Sequence, residues 1–370
     1  MEFTVKKSGL EHNLQLMQGV VETKITMPIL ANILIQAEDE QVRLKATDLE
    51  VGIETTMPCN LKSPGSTTIN VKKLYEFVKS LPDDEIHFAR ESDTRINITS
   101  KNVVFKIAEM PSVEFPRLPD FPVDGNLRLK GLLFCDLLKK ISFNLVVDDK
   151  KQHRGSLFVM TPDSIMLVAT DGHRMTYIKK EQESFDLPVD LPEYRLLLNR
   201  KAIQTILRIQ PSEEIEMSLG ENHIFFRIGS TIVSSRLLEL KFPKYDKVIP
   251  RGNDKFLKIG VDSFLISLKR ACLVTNDRAH PAQITMSGHQ VELRSIGAEI
   301  GSEHREPLQA EYDGEDLEIR FNAQYLIDFL QVVGCEHIRM ELKDADRAVL
   351  IRPMGEMSYE YLYVLMPMRI

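Results

Sequence analysis

A nineteen-residue phrase written three times limits the fold more than any other feature of this sequence. It reads NVKKLYEFVKSLPDDEIHF from Asn70, NRKAIQTILRIQPSEEIEM from Asn199 and NAQYLIDFLQVVGCEHIRM from Asn322, aligned without a gap. Apolar residues recur at matching offsets: Leu74, Ile203 and Leu326; Phe77, Ile206 and Phe329; Val78, Leu207 and Leu330. Each copy then crosses a Pro or Gly break into Ile86, Ile215 or Ile338. The chain is therefore three versions of one unit of about 125 residues, the size of a small domain and too long for a solenoid repeat.

Each unit opens on a helical pattern. Leu10, Leu14, Met17 and Val21 share one helix face, as do Phe134, Leu138, Ile141 and Leu145, and more weakly Phe264, Leu268 and Ala271. Short β-branched segments follow, QVRLKA, SIMLVA and QVELRS, each read as a half-buried strand. The repeated phrase supplies a second helix, with Asn70, Asn199 and Asn322 as N-caps and Pro82, Pro211 or Gly334 beyond its end. Strands resume at EIHFAR, HIFFRI and AVLIRP. The fold class is α+β, with antiparallel sheets and two helices per unit. Pro-rich stretches at 114–125 and 241–254 place the expected domains at 1–122, 123–252 and 253–370.

On the second helix, offsets two and nine lie seven residues apart, on a face away from the apolar stripe. They hold Lys72 and Lys79, then Lys201 and Arg208, then the uncharged Gln324 and Gln331. Lys139 and Lys140 add charge to the first helix of unit two and Lys269 and Arg270 to that of unit three, and Lys24 follows the first helix of unit one. A single such face is ordinarily just solvated. Its recurrence in a chain of net charge −7 points instead to repeated phosphate contacts on one side of the molecule. With no Trp, stacking on single-stranded bases is weakly supported.

The sequence also excludes several classes. No apolar run spans a bilayer, and MEFTVKKSGL is not a signal peptide. Cys59, Cys135, Cys272 and Cys335 are scattered, without CxxC or zinc spacing, and read as reduced thiols of a cytoplasmic protein. Asp171 and His173 could begin a metal or acid–base site, but no third ligand stands at credible spacing, and the corresponding TDLEV and SIGAE segments lack the His. No metal, cofactor or catalysis is expected. A protein-only scaffold is the other alternative, and it predicts no salt-dependent association with DNA.

The triplication, VATDGHRMTYI at 168–178, FPKY at 242–245, TDLEV at 47–51 and the ending YVLMPMRI at 363–370 together make the whole chain similar to one family, the β subunit or sliding clamp of bacterial DNA polymerase III. The resemblance implies a head-to-tail ring of two chains, with six domains and twelve helices lining a hole. At roughly 8–10 Å per helix the circle of axes is about 30–38 Å across. Subtracting a helix diameter of about 10 Å leaves roughly 20–28 Å, enough for a DNA duplex. Such a ring needs only sequence-independent phosphate attraction, and it holds a polymerase near its template without catalysing anything.

The family's duplex contacts fall here on Lys24, Lys72, Lys73, Arg200, Lys201, Arg278 and Tyr325, to which the basic helix face adds Lys79 and Arg208. Arg154 belongs to a 151–154 loop that carries Lys, Gln, His and Arg where relatives often have aromatic residues. The family's pocket for short partner peptides falls on Thr170, Gly172, His173, Arg174, Met175, Pro243, Val248, Val364, Met366, Pro367, Met368 and Arg369, an adaptable Met- and Pro-rich surface. Closure of the homodimer falls on Phe105 and Ile107 against Leu273 and Val274, with edge strands pairing; the alternative is that Phe105 and Ile107 merely face inward. The implied partners are double-stranded DNA, the polymerase III alpha subunit, the clamp loader, and other polymerases and repair proteins bearing short peptide motifs, with no membrane.

Overall fold

The computed structural model describes residues 1–370 except 22–26, 93, 124–126, 146–154, 182–184, 186–189, 239–241, 276–279, 289, 298–301 and 370. Its six described α-helices are α1 (Lys7–Gln18), α2 (Val71–Ser80), α3 (Gly131–Ser142), α4 (Arg200–Ile209), α5 (Val261–Leu273) and α6 (Ala323–Leu330). All three repeated phrases start a helix at the expected cap. The Asn70, Asn199 and Asn322 side chains accept from the backbone N–H groups of Lys73, Lys201 and Gln324 at 3.1, 2.9 and 2.9 Å. Each bond satisfies a donor that the first helical turn cannot pair.

The chain separates into two compact units, 1–135 with 198–238, and 136–197 with 239–370. In the first, α1 packs on α2 through Leu10, Leu14, Met17, Leu74 and Val78, all buried. A five-stranded antiparallel sheet ends on Val103–Ala108. An eight-stranded sheet joins strands of the first repeat to strands of the second: Val51–Pro58 pairs with Thr231–Arg236, Ile53 opposite Val233. Phe3 stacks on Phe88 at 4.8 Å, and Phe134 of α3 on Phe226 at 5.9 Å.

The second unit repeats the plan. Helices α5 and α6 pack together over a nine-stranded sheet and a four-stranded sheet. Here Arg174–Glu181 pairs with Glu360–Leu365, Met175 opposite Val364, and so joins the second repeat to the third. The Phe329 ring of α6 stacks on Tyr363 at 4.5 Å. Thus each join uses the strand that follows a TD turn and the last strand of the next repeat.

Two expectations change. QVRLKA and QVELRS alternate buried and half-buried as read, but SIMLVA is buried along its length. It sits inside the nine-stranded sheet with apolar residues on both faces, a pattern that needs no alternation. Lys140 does not belong to a solvated basic face: it is buried, its Nζ donates to Val332 O at 2.8 Å beyond α6, and it pairs with Asp136 at 3.2 Å. Its long apolar stem lets an amine reach orphan carbonyls from within an apolar stripe. All four cysteines are free thiols, and burial pushes the Cys135 pKa up to about 11.

Candidate functional site

The basic face is most open on α2. Lys72, Lys73 and Lys79 are exposed, opposite the buried Val71, Leu74 and Val78, and Lys79 Nζ stands 5.8 Å from the Tyr75 ring centroid. None of the three lysines has an ion pair among the described residues. On α4, Arg208 is exposed and lies over the end of α1: a Cβ on Gly19 would come within 1.6 Å of its Nη1. Gly19 is what permits that approach. Arg200 is half-buried. Lys201 is committed elsewhere, its amine paired with Asp48 in the turn at 47–51, so its charge is locally neutralised. Lys24, Arg154 and Arg278 lie outside the described residues.

Tyr325 joins a different neighbourhood. Its ring lies 4.2 Å from the Arg174 guanidinium and 6.4 Å from the His173 ring. The turn at 170–174 is self-closed. Thr170 Oγ1 donates to Arg174 O at 2.8 Å and accepts from Gly172 N–H at 3.1 Å. Asp171 Oδ1 accepts from the His173 and Arg174 N–H groups at 2.9 and 3.0 Å. Gly172 has φ +89°, a conformation glycine takes without cost.

Arg174 is buried at this point. It donates to Asp171 Oδ2 at 2.9 Å, Asp328 Oδ2 at 2.7 Å and Phe143 O at 2.8 Å. Burial opposes its charge, but the Asp328 and Asp171 carboxylates favour it, and its pKa is raised. Burial pushes the Tyr363 phenol well up, so it remains a neutral donor to Tyr325 O at 2.9 Å. Asp171 is therefore engaged by the turn and by Arg174, and is not paired with His173 as an acid–base couple would require. Asp328 and Phe143 escape a sequence reading, because they reach Arg174 only through the fold.

Strand register brings the other pocket candidates to this place. Thr170, Met175 and Val364 are cross-strand neighbours on one sheet face, and Met366 N–H donates to His173 O at 3.0 Å. Two positions along the same face, Tyr177 lies 6.0 Å from Tyr245, whose hydroxyl reaches Met166 Sδ at 3.5 Å. The segment holding Pro243 and Val248, both half-buried, thus covers the same face. Met366 is 40% exposed, Pro367 and Met368 are half-buried, and Arg369 is exposed. Met368 N–H is fixed by Arg320 O at 2.8 Å.

The expected interface residues divide. Ile107 is buried and Phe105, half-buried, stacks on Phe77 at 4.2 Å, while Val103 and Val104 of the same edge strand are 43% and 61% exposed. Leu273 at the end of α5 is 83% exposed, with Val274 half-buried. The free edge beside α5 is Glu303–Leu308, last strand of the four-stranded sheet.

Three α+β repeats, with exposed cations on paired helices and an apolar ledge at a self-closed turn, define a clamp-type binding scaffold. Family models for the DNA polymerase III beta subunit match in succession, the N-terminal domain over 1–119, the central domain over 128–244 and the C-terminal domain over 246–369. The beta sliding clamps of Salmonella typhimurium and Pseudomonas aeruginosa are 30% and 29% identical over 375 residues, with all of each chain covered. A crystal structure of the Bartonella birtlesii sliding clamp bound to griselimycin matches with TM-score 0.90 at 30% identity, again over all of both chains. The chain belongs to the bacterial DNA polymerase III beta-subunit family, the beta sliding clamps. It is a DNA sliding clamp, a processivity subunit and not itself the catalytic one. Among the described residues no helix is long and apolar enough to cross a membrane.

Proposed function

We propose that two copies of this chain close head to tail around duplex DNA and slide along it, holding DNA polymerase III at its template. The domains divide at 1–122, 123–252 and 253–370. The carrying observation is the set of exposed cations without an ion pair among the described residues on one face of the repeated helix: Lys79 and Arg208 at the same offset of the phrase in α2 and α4, with Lys72 and Lys73 on α2. Phosphate attraction of this kind carries no sequence information and permits sliding. The strand edge at Val103–Ala108, with Phe105, Ile107 and the exposed Val104, meets the edge at Glu303–Leu308, beside Leu273 and Val274, in the second copy. The ledge around Thr170, Gly172, His173, Met175, Pro243, Val248, Val364 and Met366–Arg369 accepts short peptides from the polymerase alpha subunit, the clamp loader and other polymerases and repair proteins. The place of action is the cytoplasm.

Charge reversal tests the carrying observation. A Lys72→Glu, Lys79→Glu, Arg208→Glu variant removes three cations from each copy, and should lower the slope of log affinity against log salt for duplex DNA by up to roughly 5.4 per ring, about 0.9 for each phosphate no longer neutralised. An unchanged slope would remove these residues from the duplex interface.

A further inference from the structure

The first unit builds a turn like that at 170–174 a second time. Thr47 Oγ1 donates to Val51 O at 2.9 Å and accepts from Leu49 N–H at 2.9 Å. Asp48 Oδ1 accepts from the Glu50 and Val51 N–H groups at 3.0 and 2.7 Å. The strand that follows, Val51–Pro58, pairs with the last strand of the next repeat, as Arg174–Glu181 does in the second unit. A Phe-Pro segment lies over this turn as well: a Cβ on Gly52 would meet Leu118 Cδ2 at 2.0 Å, so Gly52 is what lets Leu118 reach the sheet.

These pieces line an open cleft of about 300 Å³. Leu49, Val51, Pro116 and Leu118 line it, with Arg117 and His223. Leu49 has φ +76°, where the matching residue of the other turn is Gly172. An L-residue in that region costs on the order of 1–2 kcal/mol, and leucine has no local polar bond to offset it. Yet its side chain is 51% exposed at the cleft, so the strain is not explained by core packing. The rim is basic. Arg117 and Arg236 are exposed without an ion pair among the described residues, and Arg236 lies opposite His223 in the strand register. Of the acids, Asp48 is held by Lys201, and Glu50 accepts from Asn199 Nδ2 at 3.0 Å.

We propose that this cleft is a second docking site on each chain, taking a short extended peptide whose aliphatic side chain enters beside Leu49 and Leu118 while flanking carboxylates meet Arg117 and Arg236. Anchoring by one apolar side chain with charge complementarity at the rim suits weak, reversible tethering.

The test is fluorescence anisotropy on the full-length protein with a labelled peptide of two leucines separated and flanked by aspartates, and a second peptide with lysines replacing the aspartates. The acidic peptide should bind saturably, and the lysine peptide and Arg117→Glu should each weaken binding about tenfold or more. Leu49→Gly, which relaxes the backbone and so keeps the fold, should weaken it similarly. Met366→Ala, in the other unit, should leave it unchanged. Absence of saturable binding, binding indifferent to Arg117→Glu or Leu49→Gly, or loss with Met366→Ala would each overturn the second site.

Discussion

The turns at 47–51 and 170–174 are closed by the same hydrogen bonds, but three residues after the shared Thr-Asp make them different objects. In the first these residues are Leu49, Glu50 and Val51; in the second, Gly172, His173 and Arg174. Glu50 and Asp48 reach the start of α4, through Asn199 and Lys201. The second turn reaches α6 through Arg174, held by Asp171 and Asp328 and covered by Tyr325, with the His173 ring beside the same tyrosine. The backbone recipe is thus a mount, and the chemistry lies in what the mount carries. The same turn is tied to a helix of the following repeat in two ways, one partly exposed and one buried.

Arg174→Met separates the two most strongly. It leaves Asp171 and Asp328 facing an apolar side chain, and removing one partner of a buried ionic network costs about 3–5 kcal/mol. Lys201→Met, by contrast, leaves Asp48 with its two turn N–H donors, and should cost about 1–2 kcal/mol. Urea unfolding of both variants checks the order; equal losses would mean that the two ties are equivalent.

Exchanging the residue at positive φ comes next. Gly172→Leu should destabilise by about 1 kcal/mol, whereas Leu49→Gly should be close to neutral, because relief of strain opposes the larger chain entropy of glycine. A large loss on Leu49→Gly would show that the leucine packs as core. Smallest is the shared element: Thr47→Val and Thr170→Val should each cost about 1 kcal/mol and by the same amount, since each deletes one hydroxyl with the same two partners. Unequal losses would break the equivalence of the turns.

Much of this was legible in the sequence, for identifiable reasons. The helix caps are local, because an Asn that begins an apolar stripe finds its donor two or three residues on. Strands such as QVRLKA follow from alternation alone. Which cations stay free is not local. Lys72 and Lys201 occupy the same offset of the same phrase, yet only Lys201 has an Asp within reach, more than 150 positions away in sequence. Lys140 looks like a surface residue by period and is buried because the end of α6 lies beside it. Phe105 and Ile107 carry apolarity to an edge strand, but which face of that strand is outward depends on register against its neighbour. The Arg174 network was readable only as the TDGHR motif, without the Asp328 that completes it.

In the proposed function, attraction at Lys72, Lys79 and Arg208 is weak, and a closed ring retains the DNA. The protein, loaded onto nicked circular duplex by a compatible clamp loader with ATP, would be divided, one half linearised, and both halves gel-filtered at moderate salt. Retention on the circle with loss from the linear DNA is the predicted result. Equal retention on both would contradict it, and would place the holding force in direct contacts with the DNA.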